Sequence, residues 1–95
     1  MFASIRKYKS NSPDELIRRA SSGFAPIISK APGFVAYYVV NAGNGVVVSV
    51  SVFETKAGAD ESNKLAAGWV KENVASLVAG PPEIMEGEAQ EFKKK

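Results

Sequence analysis

The chain has 95 residues, enough for one domain and not for two. Its 45% hydrophobic and 23% charged residues are the composition of a folded globular protein, not a disordered one. With no cysteine and no histidine, disulfide scaffolds, thiolate metal sites, imidazole bases and His-ligated metals are all excluded, so any chemistry must run on Tyr, Trp, Asn, Arg, Ser and carboxylates. The formal charge is +2, but Lys93, Lys94 and Lys95 close the chain, so the body is near neutral. Residues 93–95 read as a solvated, disordered basic tail on a single domain spanning 1–95. The N-terminus turns charged at Arg6 and Lys7, too early for a signal peptide, and no apolar run approaches the ~20 residues of a membrane span. A cytoplasmic protein with no membrane and no nucleic-acid partner is expected.

Phe2 to Lys9 mixes apolar and charged residues without helical spacing and reads as a first strand. Ser12-Pro13-Asp14-Glu15 reads as a helix start, with Ser12 as the cap, Pro13 at the first helical position and Glu15 completing a capping box. Leu16, Ile17, Ala20, Phe24, Ile27, Ile28 and Ala31 lie on one helical face, which Gly23 and Pro26 should kink or break. After Ala31-Pro32-Gly33, the aromatic and β-branched run Phe34–Val40 predicts a strand. Asn41 to Gly45 predicts a hairpin loop, and Val46–Phe53 the clearest strand of the sequence. A second helix opens near Thr55 and buries Ser62, Leu65, Ala66, Trp69, Val70, Val74, Leu77 and Val78. Gly80-Pro81-Pro82 stops it, and Glu83 to Phe92 reads as an exposed or edge strand.

The order β-α-β-β-α-β predicts an α+β, ferredoxin-like fold: a four-stranded antiparallel sheet with two helices on one face. Both faces of the Val46–Phe53 strand carry apolar side chains. Val46, Val48, Val50 and Val52 form one face, and Val47, Ser49, Ser51 and Phe53 the other. A two-residue hairpin turn would set Val35, Tyr37 and Val39 with the all-valine face, and Ala36, Tyr38 and Val40 beside Val47 and Phe53. Two helices cover one face only, so the second needs another layer, most cheaply a second copy of the chain. The expected homodimer interface is Tyr38, Val47, Ser49, Ser51 and Phe53.

Over nearly its full length the chain resembles the antibiotic-biosynthesis-monooxygenase-like family of dimeric α+β barrels. The resemblance is carried by the N-terminal strand, a helix ending in Ala31-Pro32-Gly33-Phe34, a Tyr-containing strand, a Val/Ser strand ending in Phe53-Glu54, and a Trp-bearing helix. It implies sheet-to-sheet dimers and, in some members, cofactor-independent oxygenation of electron-rich aromatic substrates. Haem-degrading relatives use an Asn, a Trp and a His; with no His here, no cofactor and no metal are expected. The quinone-forming members use Asn, Trp and Tyr around one pocket. Asn63 and Trp69 are six residues apart, some 240° around a helix, so they do not share a face closely, and a Tyr would have to come from the sheet.

The candidate pocket residues are therefore Arg6, Phe24, Tyr37, Asn63 and Trp69, around a small aromatic ligand. Trp69 reads as core filler or as a pocket wall, and Tyr37 and Tyr38 should point to opposite faces. Arg6 is open between an acidic ligand group, a carboxylate across the dimer, and a solvated edge charge. Ser49 and Ser51 would keep a cavity polar or bond across the interface. Two functions follow: a cofactor-independent monooxygenase, or a non-catalytic dimeric ligand-binding or stress-associated module on the same fold.

Overall fold

The computed structural model describes all residues, 1–95. Strand β1 (Phe2–Lys9) leads into helix α1 (Pro13–Arg19), a π-helical turn (Ala20–Phe24) and the short helix α2 (Ala25–Ile28). Strands β2 (Phe34–Gly43) and β3 (Val46–Phe53) form a hairpin, followed by helix α3 (Lys56–Asn73), a 3-10 turn (Ala75–Leu77) and β4 (Glu83–Glu88). The sheet order is β2-β3-β1-β4, antiparallel throughout, and the helices cover one face. This is the expected ferredoxin-like α+β fold. Strand β2 runs three residues further than expected and β4 stops at Glu88; residues 89–95 carry no helix or strand. No helix is long and apolar enough to cross a membrane.

The first helix is bent where Gly23 and Pro26 place the break. Pro26 has no N–H to give to the ladder, and the turn before it widens to the π form while the chain stays helical. The expected capping box is not formed. Ser12 makes no side-chain cap bond, and its backbone N–H donates to Ser10 Oγ at 3.0 Å. Glu15 instead accepts from Arg18 Nε at 3.0 Å and from Arg19 Nε at 2.6 Å, one turn further on. Helix α3 does have its cap: the Gly58 N–H donates to Thr55 Oγ1 at 3.1 Å.

The hairpin register reverses the expected faces of the β2 side chains. The turn has the expected two residues, Asn44 (φ 54°) and Gly45 (φ 77°), both in the left-handed region that suits a tight hairpin. Gly45 is required twice over, because a Cβ there would meet the Ser10 carbonyl oxygen at 2.7 Å. Between Asn41 and Gly43, however, the register shifts at a bulge, so Asn41 pairs with Val47, Val40 with Val48 and Tyr38 with Val50. One extra residue moves every following side chain to the opposite face. Tyr37 and Val39 therefore stand beside Ser51 and Ser49, and Ala36, Tyr38 and Val40 join the all-valine face.

On β3 itself, Val47, Ser49, Ser51 and Phe53 share the face of Ser4, Arg6 and Tyr8 and are buried beneath the helices of their own chain, Phe53 at 0% exposure. They cannot be the dimer interface. Of the residues assigned to that interface only Tyr38, 60% exposed, lies on the open face. That face is apolar nonetheless: Val48, Val50 and Val52 at its centre, Ala36, Tyr38 and Val40 on one side, Ile5 and the 67% exposed Met85 on the other. The chain exposes 6037 Å², more than the roughly 5,300 Å² expected of a compact monomer this size.

Beneath the helices the core has two centres. One joins Tyr8, Leu16, Val47 and Val74, and the other Phe24, Ile28, Phe53 and Ala66; Trp69 packs against both. The two helix starts give a direct comparison. Thr55→Ala should cost about 1 kcal/mol and Ser12→Ala less than about 0.5 kcal/mol. Urea titration of both variants checks this, and an equal loss at the two sites would show that Ser12 does cap in solution.

Candidate functional site

Arg6 is the centre of the site. It lies on β1 between β3 and β4, pointing under α3, and is only 1% exposed. It is thus not an edge charge. Its Nε donates to Ser49 Oγ at 3.0 Å, and its Nη1 to Asn63 Oδ1 at 2.9 Å and Ser62 Oγ at 3.4 Å. Nη2 donates to Ser51 Oγ at 2.5 Å. Ser4 Oγ also donates to Asn63 Oδ1, and Ser62 passes its own proton to the Ala59 carbonyl. Ser49 and Ser51 interrupt a valine strand because they face this guanidinium. They bond within the chain, not across an interface.

No carboxylate touches the guanidinium. The nearest one in the hydrogen-bond network is Glu86 on β4, one side chain removed, where Oε1 accepts from Asn63 Nδ2 at 2.9 Å. Glu86 stands 3.9 Å from Lys56, which also holds Asp60 at 3.1 Å. The neighbouring carboxyl groups act on each other, raising the Glu86 pKa and lowering that of Asp60. The negative charge on this side is engaged by Lys56 and Asn63.

Burial acts against the charge on Arg6, and the Tyr8 and Tyr37 side chains partly offset it. A guanidinium nevertheless keeps its proton inside proteins. Burial raises the Tyr8 pKa, against the opposing pull of Arg6, so its hydroxyl is neutral and a donor at pH 7. Burial likewise pushes Tyr37 up to about 12.

Two spaces open beside Arg6. The first, of about 320 Å³, is lined by Arg6, Tyr8 and Ile84 from the sheet, Asn63, Ala67, Val70 and Lys71 from α3, and Ala75, Val78 and the Gly80-Pro81-Pro82 segment. That is a size for a small molecule. The second, of about 30 Å³, lies among Arg6, Tyr8, Phe24, Tyr37, Ser49, Ala66, Trp69 and Val70, room for about one water.

The five candidate pocket residues therefore divide. Arg6 and Asn63 meet at the ligand-sized cavity. Phe24, Tyr37 and Trp69 gather instead around the water-sized void, with Phe24 edge-to-face with Tyr37 at 5.5 Å centroid distance and tilted against Trp69 at 5.6 Å. A Cβ on Gly23 would lie 3.0 Å from Trp69 Cζ2, so the π-helical turn closes directly on the indole. Trp69 packs against both core centres. Asn63 lines the larger space and Trp69 the smaller one, and Arg6, Tyr8 and Val70 line both. Ser4, Tyr8, Ser62, Lys71 and Glu86 were not singled out from sequence. For Ser4 and Tyr8 a signal was available in the strand alternation, which puts both on the face of Arg6; the pairing of Glu86 with Ser4 comes from the β1–β4 register of the structure. No group of three or more His, Cys, Asp or Glu side chains is arranged to hold a metal.

A small ferredoxin-like domain with a polar floor and an apolar cavity between sheet and helix is the architecture that these elements define. No protein-family model matches the sequence, and no curated protein sequence is similar to it. Solved structures do match. A protein of unknown function from Nitrosomonas europaea superposes with a TM-score of 0.78 at 18% identity, over 99% of this chain and 93% of that one. The monooxygenase ActVA-Orf6 of Streptomyces coelicolor, solved with nanaomycin D, gives 0.76 at 19% over 99% and 91%. SnoaB, a cofactor-independent oxygenase from Streptomyces nogalater, gives 0.72 at 13% over 98% and 97%. The chain has the fold of the antibiotic-biosynthesis-monooxygenase-like proteins.

The buried phenols set an alkaline limit on stability. Folded Tyr37 keeps its proton up to about 12, while an unfolded tyrosine releases it near its ordinary 10.0. Between these values the native state binds more protons, so stability is flat below pH 10 and falls as the pH rises towards 12. Denaturant midpoints measured across this range should fall more steeply for the native chain than for Tyr37→Phe. Parallel curves would mean that the phenol is solvated.

Proposed function

We propose that the protein binds a small, flat, largely apolar molecule in the 320 Å³ cavity and, as a cofactor-independent monooxygenase, oxidises an electron-rich aromatic substrate there with dioxygen. The observation that carries the binding reading is the cavity itself, open beside a buried and fully organised polar floor of Arg6, Tyr8 and Asn63. The oxygenase reading is supported by the shared fold with ActVA-Orf6 and SnoaB. In such chemistry an acidic ring C–H₂ group loses a proton, and the carbanion transfers electrons to O₂ to give a peroxide. The peroxide takes up a proton and loses water to leave a carbonyl, so one CH₂ and one O₂ become one C=O and one H₂O. Asn63 and Arg6 would orient the substrate oxygen.

A non-catalytic ligand-binding module is the second reading, and one observation favours it: no side chain lining the cavity is a base at neutral pH. Anthrone separates the two. Oxygen uptake with one carbonyl product formed per O₂ consumed, above the rate in buffer, is the expected result, reduced at least tenfold in Asn63→Ala. Saturable binding without oxygen uptake would leave the module.

The working form is proposed to be a homodimer joined through the open sheet face. Val50 sits at its centre, paired with Ile5 and Tyr38. Sedimentation equilibrium at micromolar concentration should give the dimer mass, and Val50→Asp the monomer mass, because an unpaired charge would sit in an apolar contact. A monomer mass for the native chain sinks this assembly.

A further inference from the structure

We infer that the ligand of this cavity is an anion: a flat apolar molecule with one ionised oxygen received by the Tyr8 hydroxyl and the Arg6 guanidinium at the cavity floor. The inference rests on the reading of the cavity as a small-molecule site and adds the charge of its occupant.

The cavity wall carries two cations, Arg6 and the exposed Lys71, and no carboxylate. Arg6 is 1% exposed and its partners are all neutral: the hydroxyls of Ser49, Ser51 and Ser62 and the amide oxygen of Asn63. These acceptors fix the guanidinium and satisfy four of its N–H groups without neutralising it. Buried charges are ordinarily paired, because an unpaired ion in a low-dielectric site is costly. Here the one carboxylate within reach of the network is turned to Asn63 and Lys56. The positive charge is therefore available to whatever fills the space beside it. Tyr8 stands two residues along β1 from Arg6, on the same sheet face, and lines the same cavity. Its hydroxyl carries a proton at pH 7 and can donate it in a hydrogen bond to an incoming anion. The other walls, from Ala67, Val70, Val78, Pro81 and Ile84, suit an apolar body.

Two kinds of molecule supply this chemistry, an aromatic carboxylate and an ionised phenol or enol. Calorimetric titration of the full chain with naphthoate and with naphthamide, equal in shape and different in charge, tests the inference. Naphthoate should bind at least tenfold more tightly at pH 7, and added salt should weaken it. Lys71→Gln should reduce that preference a few-fold and Tyr8→Phe several-fold, and Arg6→Gln should abolish it. Tyr8→Phe and Lys71→Gln carry the test if Arg6→Gln does not fold. Para-nitrophenol gives the second arm: a yellow bound form at a pH where the free phenol is colourless marks phenolate recognition, and naphthoate binding without that colour marks a carboxylate. Equal affinity for naphthoate and naphthamide overturns the inference and leaves the cavity reading intact. Silence from both probes overturns the two together. A preference that survives in all three variants places the anion elsewhere and overturns the inference alone.

Discussion

The structure is organised around a buried positive charge that has no negative partner. Holding Arg6 under α3 requires acceptors from three directions, and the chain supplies Ser49 and Ser51 from β3, Ser62 and Asn63 from α3, and Glu86 from β4 behind Asn63. Each hydrogen bond to a charged group is worth about 1.5–3 kcal/mol when formed, and an orphaned partner in the core loses a similar amount. The cluster therefore fixes α3 over the sheet in one register. It also divides the apolar core into two centres, joined only along Trp69. The cavity opens where the polar floor meets the last turn of α3 and the Gly80-Pro81-Pro82 segment.

The β1–β3 register puts Ser49 opposite Arg6 and Ser51 opposite Ser4, which leaves the even-numbered valines outside. A single extra residue before the Asn44-Gly45 turn then decides which β2 side chains join each face. Had the register run unbroken, Val40 would oppose Ser49 and Tyr38 would lie under the helices. The buried face carries the polar cluster, and the open face is apolar around Val50, with the Lys7–Glu83 ion pair on its β4 side. The proposed ligand site and the proposed dimer contact would thus lie on the two sides of one sheet.

Element order, the helix break and the ferredoxin-like topology were legible because each is written in local chemistry: Pro26 inside a helical period, glycines at a turn, valines in alternation. The face assignment was not: which face of β3 lies under the helices is set by tertiary packing on β1 and β3, and the bulge at Ala42 that turns β2 over is a matter of pairing between strands and leaves no mark on composition. The Ser12 box failed for a competing local reason, with Glu15 taken by Arg18 and Arg19. Of the site, Arg6 was legible as a charge flanked by apolar residues on a strand, and Asn63 only through the family resemblance. Phe24, Tyr37 and Trp69 were legible as large aromatics, but whether such residues wall a pocket or fill one depends on packing. Here Gly23 lets the π-helical turn approach the indole so closely that they fill it.

An unpaired cation beside a cavity without a base can still promote ionisation of what binds there. At an effective dielectric of about 20, charges about 4 Å apart attract by about 4 kcal/mol, or about three pK units. Transfer of the ligand anion out of water acts in the opposite direction, so the net shift is smaller. A phenol-like acid, ordinarily near 10, would be brought toward neutrality, whereas a weakly acidic C–H would not ionise usefully. The proton itself would leave to water through the cavity mouth, since Tyr8 is already protonated and Asn63 cannot accept one. The residues of this site therefore select for molecules that are acidic before they bind. Oxygenation by electron transfer to O₂ would then be confined to substrates whose anions are electron-rich, with Arg6 stabilising the anion and no side chain required to remove the proton.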